Sequence, residues 1–553
     1  MRNHKFLLVL IFLLGVFLRF WQLPSRPVSL SIDEVAIGYN AYSLLKTGRD
    51  EWGEYLPLAF RSVGDYKAPL LVYLTVPSVA VFGLTEFGTR FPIALIGSLT
   101  VMVVYFFIKE LTKNQKISIF TALSIAISPW HIQYSRMTHE SILGLFWFIL
   151  GLWFFIANPT KARRYCFPAI FFALSLYTYH THRLHTPIFV LGLVIIFARE
   201  IFTRKNIRAL LFTILLSVVL CLPFLGLMRG AKGQARISSV FLSKDVDINY
   251  QLHKDDEKLN LFQKIFDNNT LTIFNFWTKR YLEYFDIPYL FFKGMKLAVN
   301  QSPGVGLFHL FELPFFLAGL WVIIVKRKHL DSKAYRLFLI MVFLGPLAAS
   351  LANNEQHPPR SLVLIPSLQL LVGAGGYYFW EKARKFGLFQ KLFSFTFFIF
   401  ILGISLVYYL DLYHFHYPIN FSEYWSYGMK EAALFAWDHQ KEYNNIVIDS
   451  SFGTQGPFTV STPHLYVYFY GKYDPWLLQT DPLHDKWPGK GSADFLNFSF
   501  RPIYWPTDRF SKNTLFIGSP WGLPKDELSQ AKVLKEIRFL NGSPALLIIE
   551  TQR

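Results

Sequence analysis

The sequence predicts a polytopic α-helical membrane protein of about eleven crossings, with a small α/β domain at its C-terminus. Three observations carry this prediction. Of the 553 residues, 52% are hydrophobic and 18% aromatic while only 17% are charged, a balance too apolar for a soluble protein of average make-up. Runs at 6–20, 91–108, 210–228, 305–325 and 392–410 are long enough, at about 1.5 Å per residue, to cross a hydrocarbon core of about 30 Å, some with bordering residues. After Tyr413 the apolar runs give way to short β-rich segments.

The first run follows Arg2, His4 and Lys5 as a signal peptide would, but Arg19-Phe20-Trp21 offers no small-residue cleavage site, so it reads as a retained helix. Basic connections at 109–116, 161–164, 199–208, 326–333 and 382–391, with 2–5, belong on the cytoplasmic side. An even number of crossings must separate neighbours. Three apolar runs lie between Lys5 and Lys109, and the middle one, 70–84, follows Pro69, contains Pro77 and Gly83 and is short. It is the one that does not span, which leaves 19–90 as one long outer loop.

The remaining crossings fall at 117–133, 141–157, 165–181, 184–198 and 209–228, then, after an outer loop at 229–304, at 305–325, 335–352, 361–379 and 392–410. The N-terminus is then cytoplasmic and the C-terminus outside, in a multi-pass protein of the plasma membrane. Beyond 410, strands are expected at 445–449, 464–470, 514–518 and 545–550, preceded by an amphipathic helix over 425–439. The expected division is a membrane domain at 1–410 and an outer α/β domain at 411–553.

Lys and Arg exceed Asp and Glu by 18, but the excess is spread over short connections, which suits membrane orientation and excludes a nucleic-acid patch. The two cysteines, Cys166 and Cys221, support neither a disulfide framework nor a thiolate metal site. No glycine-rich phosphate loop is present, so no nucleotide is cradled.

The polar residues placed outside form the candidate site. Asp33-Glu34 follows Ser31, whose spacing to Glu34 makes a capping box; that accounts for Glu34 and leaves Asp33 to meet a substrate as a base or hydroxyl ligand. Lys67 is either a snorkelling interfacial lysine or a cation for a lipid phosphate. Glu140 opens a membrane helix beside His139, where a carboxylate serves the helix dipole or a functional site equally well. Arg183 and Arg360 lie outside against the orientation bias, which points to an anionic partner: a phosphate, or structurally Glu355 or Glu140. His180, His182, His185 and His357 lack a metal-ligand motif, so no metal is assigned and a divalent ion has no ligand pattern in its support. Carboxylates with one lysine and two arginines at a bilayer surface suit a reaction whose leaving group is a lipid-borne phosphate.

At these residues the chain resembles the membrane glycosyltransferases of the C-type fold, above all the bacterial relatives of protein O-mannosyltransferases and of the enzyme that adds aminoarabinose to lipid A. The resemblance rests on Asp33-Glu34, on Lys67-Ala-Pro-Leu followed by Glu86 and Arg90-Phe-Pro, on Tyr134-Ser-Arg before Glu140, on Tyr177-Thr-Tyr179 with Arg183, on Tyr281 and Phe285 before Leu290-Phe-Phe, and on Pro358-Pro-Arg360. It runs in order over about residues 5–410. It implies inverting transfer of a sugar from a polyprenyl-phosphate donor to an envelope lipid, glycan or protein. Asp33 would be the general base and Glu140 the second acidic residue, at a position that is often Asp in the family. Lys67 and Arg360 would contact the donor phosphate with Arg183 nearby, and Glu34, His357 and Tyr179 would support them. The stretch Tyr424-Trp-Ser-Tyr-Gly-Met-Lys430 looks characteristic of the bacterial members and receives no role. The competing class, a transporter or lipid flippase, would place ionisable groups in mid-membrane at broken helices.

Overall fold

The computed structural model describes residues 2–62, 65–157, 163–230, 268–295, 301–352, 356–454, 459–460, 462–481, 494–529 and 531–551, with isolated positions between 242 and 299. Most of the expected loop 229–304 up to residue 267, and Glu355, lie outside the described residues. The chain divides into two compact units. The first is 1–19, 94–135 and 140–410; the second is 20–93, 136–139 and 411–553. These bounds differ from the expected division at 410, because 20–93 packs with 411–553: helix Ile32–Thr47 lies on helices Pro463–Tyr470 and Pro475–Thr480.

The first unit is helical. Among the described residues, six helices are long and apolar enough to cross a membrane: Glu86–Thr112, Glu140–Ala157, Ile207–Arg229, Ser332–Ser350, Pro358–Ala383 and Leu388–Trp425. Five more apolar helices, of 10–17 residues, include Gln115–Ile127 and Leu310–Val325. The chain is thus a multi-pass membrane protein. Helices Leu310–Val325 and Ile365–Ala383 meet almost backbone to backbone, since a methyl on Gly319 would overlap the carbonyl of Leu371 and one on Gly375 that of Phe315. Small residues at such a crossing are how helices associate where lipid removes the hydrophobic drive. On helix Leu388–Asp411, Leu392, Phe393, Phe397 and Phe400 are all exposed, as a lipid-facing helix requires.

The second unit holds a five-stranded sheet in the order Phe498–Phe500, Asn445–Ile448, Thr514–Gly518, Pro544–Thr551, Ala531–Arg538. The first three strands are parallel and the last two antiparallel. Val447, Phe516, Leu547 and Ile549 bury one face against Ile503, Trp505, Leu523 and Leu528. Three of the expected strands lie in this sheet. The fourth, 464–470, is instead helix Pro463–Tyr470: Pro463 takes the first helical position, and the tyrosines and Phe469 that favour a strand are buried all round it. The expected helix over 425–439 is shortened to Met429–Asp438, because Ser426 and Gly428 adopt left-handed backbone.

Candidate active site

Asp33 and Glu34 occupy the second and third positions of helix Ile32–Thr47. The capping box is present: the Ser31 hydroxyl accepts the Glu34 N–H, and Glu34 Oε2 accepts the Ser31 N–H at 2.9 Å. Glu34 does more than cap. Its Oε1 accepts from Arg90 Nε at 2.8 Å and from the Thr138 N–H at 2.9 Å, and its Oε2 accepts from Arg90 Nη2 at 3.2 Å. Both side chains of this pair are fully buried. Arg90 uses its remaining N–H groups on the carbonyls of Leu23, Pro27 and Ser29, so one guanidinium stitches down the loop that leads into Asp33.

Asp33 points elsewhere. Its Oδ1 accepts from Lys67 Nζ at 2.6 Å; the lysine side chain is 10% exposed and the aspartate 51%. Lys67 ends the hairpin of Phe60–Ser62 and Asp65–Lys67, paired opposite Phe60, and the next residues, Ala68 and Pro69, cap and start helix Pro69–Phe82. Strand pairing on one side and a proline-started helix on the other fix the lysine's backbone. Lys67 is therefore not merely a snorkelling lysine. The arrangement offers a solvent-facing carboxylate beside a buried ammonium, at the positive end of a helix dipole.

The other candidate residues belong to the first unit. Glu140 is the first residue of helix Glu140–Ala157 and is buried. Arg360 lies in the 3₁₀ turn Pro358–Leu364; it is 9% exposed, and its Nη1 has no hydrogen-bond partner among the described residues. Tyr284, which the sequence did not single out, marks this region. Its hydroxyl accepts the His357 N–H at 2.9 Å, and Arg360, Tyr179 and Arg280 all lie within its electrostatic reach. Burial pushes that hydroxyl up to about 12, a rise that the His357 N–H and Arg360 oppose. The available signal was its position between Tyr281 and Phe285, inside a recognised motif.

Arg183 sits differently. Its Nη1 is 3.6 Å from Met228 Sδ and its guanidinium lies over the Phe224 ring at 5.4 Å, so part of its surface is held by packing. His182 and His185 are buried with rings 6.3 Å apart, His182 against Phe148 and His185 against Phe189. Among the described residues no three His, Cys, Asp or Glu side chains gather as a metal site would require.

Residues 66–226 match the family of dolichyl-phosphate-mannose-protein mannosyltransferases. No curated protein matches the sequence. Among solved structures, ArnT from Cupriavidus metallidurans, known in the apo state and bound to undecaprenyl phosphate, superposes with a TM-score of 0.52 at 13% identity. The superposition covers 98% of this chain and 97% of ArnT. The oligosaccharyltransferase of Archaeoglobus fulgidus matches with a TM-score of 0.49 at 14% identity over 84% of this chain, which spans 63% of that protein's length. The chain thus has, over nearly its whole length, the C-type fold of the membrane glycosyltransferases, and its residues 66–226 match the mannosyltransferase family of that fold.

Proposed function

We propose that this protein is a membrane glycosyltransferase that moves one sugar from a polyprenyl-phosphate carrier to an envelope lipid, glycan or protein. The observation that carries the proposal is the Asp33–Lys67 pair: a half-exposed carboxylate held at 2.6 Å by a buried ammonium at a helix N-terminus. The family match at 66–226 and the fold shared with ArnT, which binds undecaprenyl phosphate, support the same donor class.

In this mechanism an acceptor oxygen or nitrogen attacks the anomeric carbon from the face opposite the phosphate. Asp33 takes the acceptor's proton as the new bond forms. The bond between the anomeric carbon and the phosphate oxygen breaks, its electron pair leaves with the polyprenyl phosphate, and the sugar inverts. Lys67 and Arg360 hold the charge that develops on the departing phosphate, and the unmatched Nη1 of buried Arg360 is a donor suited to it. Glu140 is the second acidic residue, and Glu34, His357, Tyr179 and Arg183 support the site. The six long helices, four of the five shorter ones with Pro69–Phe82 left out, and the first helix, Arg2–Phe20, give about eleven crossings. The basic connections then place the N-terminus in the cytoplasm and segments 20–93 and 411–553 outside it.

Asp33→Asn, in reconstituted membranes supplied with a polyprenyl-phosphate sugar, is expected to abolish transfer while the protein folds and still binds the donor. Retained turnover would remove Asp33 as the base.

A further inference from the structure

The stretch Tyr424–Lys430 acquires a role from its contacts. Trp425 is buried and donates its indole N–H to the Tyr417 hydroxyl at 3.0 Å. Ser426 has φ +51° and Gly428 φ +101°, and a methyl on Gly428 would stand 3.0 Å from Ile537 Cγ2. The backbone is therefore bent sharply twice within three residues, at the second bend in a conformation that favours glycine.

Two struts leave this bend. Lys430 Nζ donates to Glu86 Oε1 at 2.6 Å, and the Tyr470 hydroxyl donates to the same oxygen at 3.2 Å. Glu86 precedes Arg90 by four residues on one helix, so the two share a face, and Arg90 is the residue that holds Glu34 and the 23–29 carbonyls. The second strut is Tyr466, one turn before Tyr470, with the two rings stacked. Its hydroxyl is fully buried, lies beside Ser426, and donates to the Leu30 carbonyl at 3.0 Å. Leu30 immediately precedes the Ser31 cap. Fixing its carbonyl fixes the peptide plane from which Asp33 is aimed three residues later, and Asp33 and Glu34 both lie within electrostatic reach of Tyr466.

We infer that Tyr466, beside Ser426 of the Tyr424–Lys430 bend, is a positioning residue that orients the Asp33 carboxylate through the Leu30 carbonyl. The inference rests on Asp33 being the general base. It gives residues 411–553 a part in the reaction without requiring any of them to touch substrate. Removing the Tyr466 hydroxyl leaves a buried carbonyl without its donor and loosens a peptide then held only from its N–H side by Glu34, and a misplacement of about 1 Å costs on the order of a hundredfold in rate.

The test uses the full-length protein in lipid nanodiscs with a polyprenyl-phosphate sugar. Tyr466→Phe should lower kcat at least about tenfold and leave KM for the donor within about twofold. Ser426→Ala, which keeps the Tyr466 ring and its bond to Leu30, should act in the same direction by a smaller factor, and decides the matter if Tyr466→Phe does not fold. Wild-type kcat in both variants, or a loss of turnover fully accounted for by a fall in folded protein, would overturn the positioning role. Turnover in Asp33→Asn itself would instead overturn the base, so the two failures are told apart.

Discussion

Arg90, in the second unit, and Arg360, in the first, are both buried, yet they are satisfied very differently. Arg90 directs five N–H bonds at Glu34 and three backbone carbonyls. Arg360 keeps a buried Nη1 with no partner among the described residues. Leaving a buried guanidinium N–H unmatched is costly, so such a group calls for a partner beyond the described side chains. On the proposed mechanism, the contrast separates an arginine that builds the site from one that serves it. Composition alone could not separate them, because both stand in proline-containing motifs at the start of apolar runs.

The contrast is broken most directly at Arg90. Arg90→Ala strands the Glu34 carboxylate in a buried setting, and such losses cost about 3–5 kcal/mol. The expected result is loss of folded protein, read by thermal unfolding and detergent-resistant monodispersity. Arg360→Ala should leave the unfolding temperature near that of the wild type and lower sugar transfer about a hundredfold. If Arg360→Ala unfolds the protein as Arg90→Ala does, the distinction between the two arginines fails. Arg360→Lys sharpens it: a point charge replaces a fork, so transfer should recover partly, to within about tenfold of wild type.

The smallest effect concerns a second pair of buried groups. Glu34 faces an arginine, whereas buried Glu51 faces the Asn40 amide, which donates to its Oε1 at 3.1 Å. Burial pushes Glu51 up to about 8 from an ordinary 4.5, against the Asn40 bond. Its folded-state value is the higher one, so its contribution to stability is full below about 4.5 and is lost as the pH rises toward 8. Glu51→Gln should flatten the decline in unfolding temperature across that window. An unchanged slope would show that Glu51 does not titrate there.

Much of the fold was legible because membrane helices declare themselves by composition, as Glu140–Ala157 and Ile207–Arg229 do. The capping box was legible because Ser31 and Glu34 are three residues apart and the bond is local. The ion pair of Asp33 with Lys67 was not: it joins residues 34 apart through a hairpin that no periodicity announces. Helix Pro463–Tyr470 was read as a strand because its tyrosines, Val467 and Phe469 favour one, and packing on helix Ile32–Thr47 overrode that preference. Strand Ala531–Arg538 was passed over because Lys532, Lys535 and Glu536 interrupt its apolar pattern, as charges do on the edge strand it forms. Arg90 was quoted as part of a motif without a task, since three of its partners, at Leu23, Pro27 and Ser29, are carbonyls that leave no trace in side-chain identity, and the fourth, Glu34, lies 56 residues away.

The second unit is assembled from three separated stretches, 20–93, 136–139 and 411–553. A ribosome adding roughly 5–20 residues per second delivers the last of these on the order of half a minute after the first. Until then Leu30 and Glu86 have neither Tyr466 nor Lys430 to meet, and the loop that carries Asp33 waits without its struts. Completion of the second unit is thereby tied to completion of the polypeptide: a truncated chain that has inserted every earlier helix has Lys67 and Arg90 at the Asp33 loop but not the contacts of Tyr466 and Lys430.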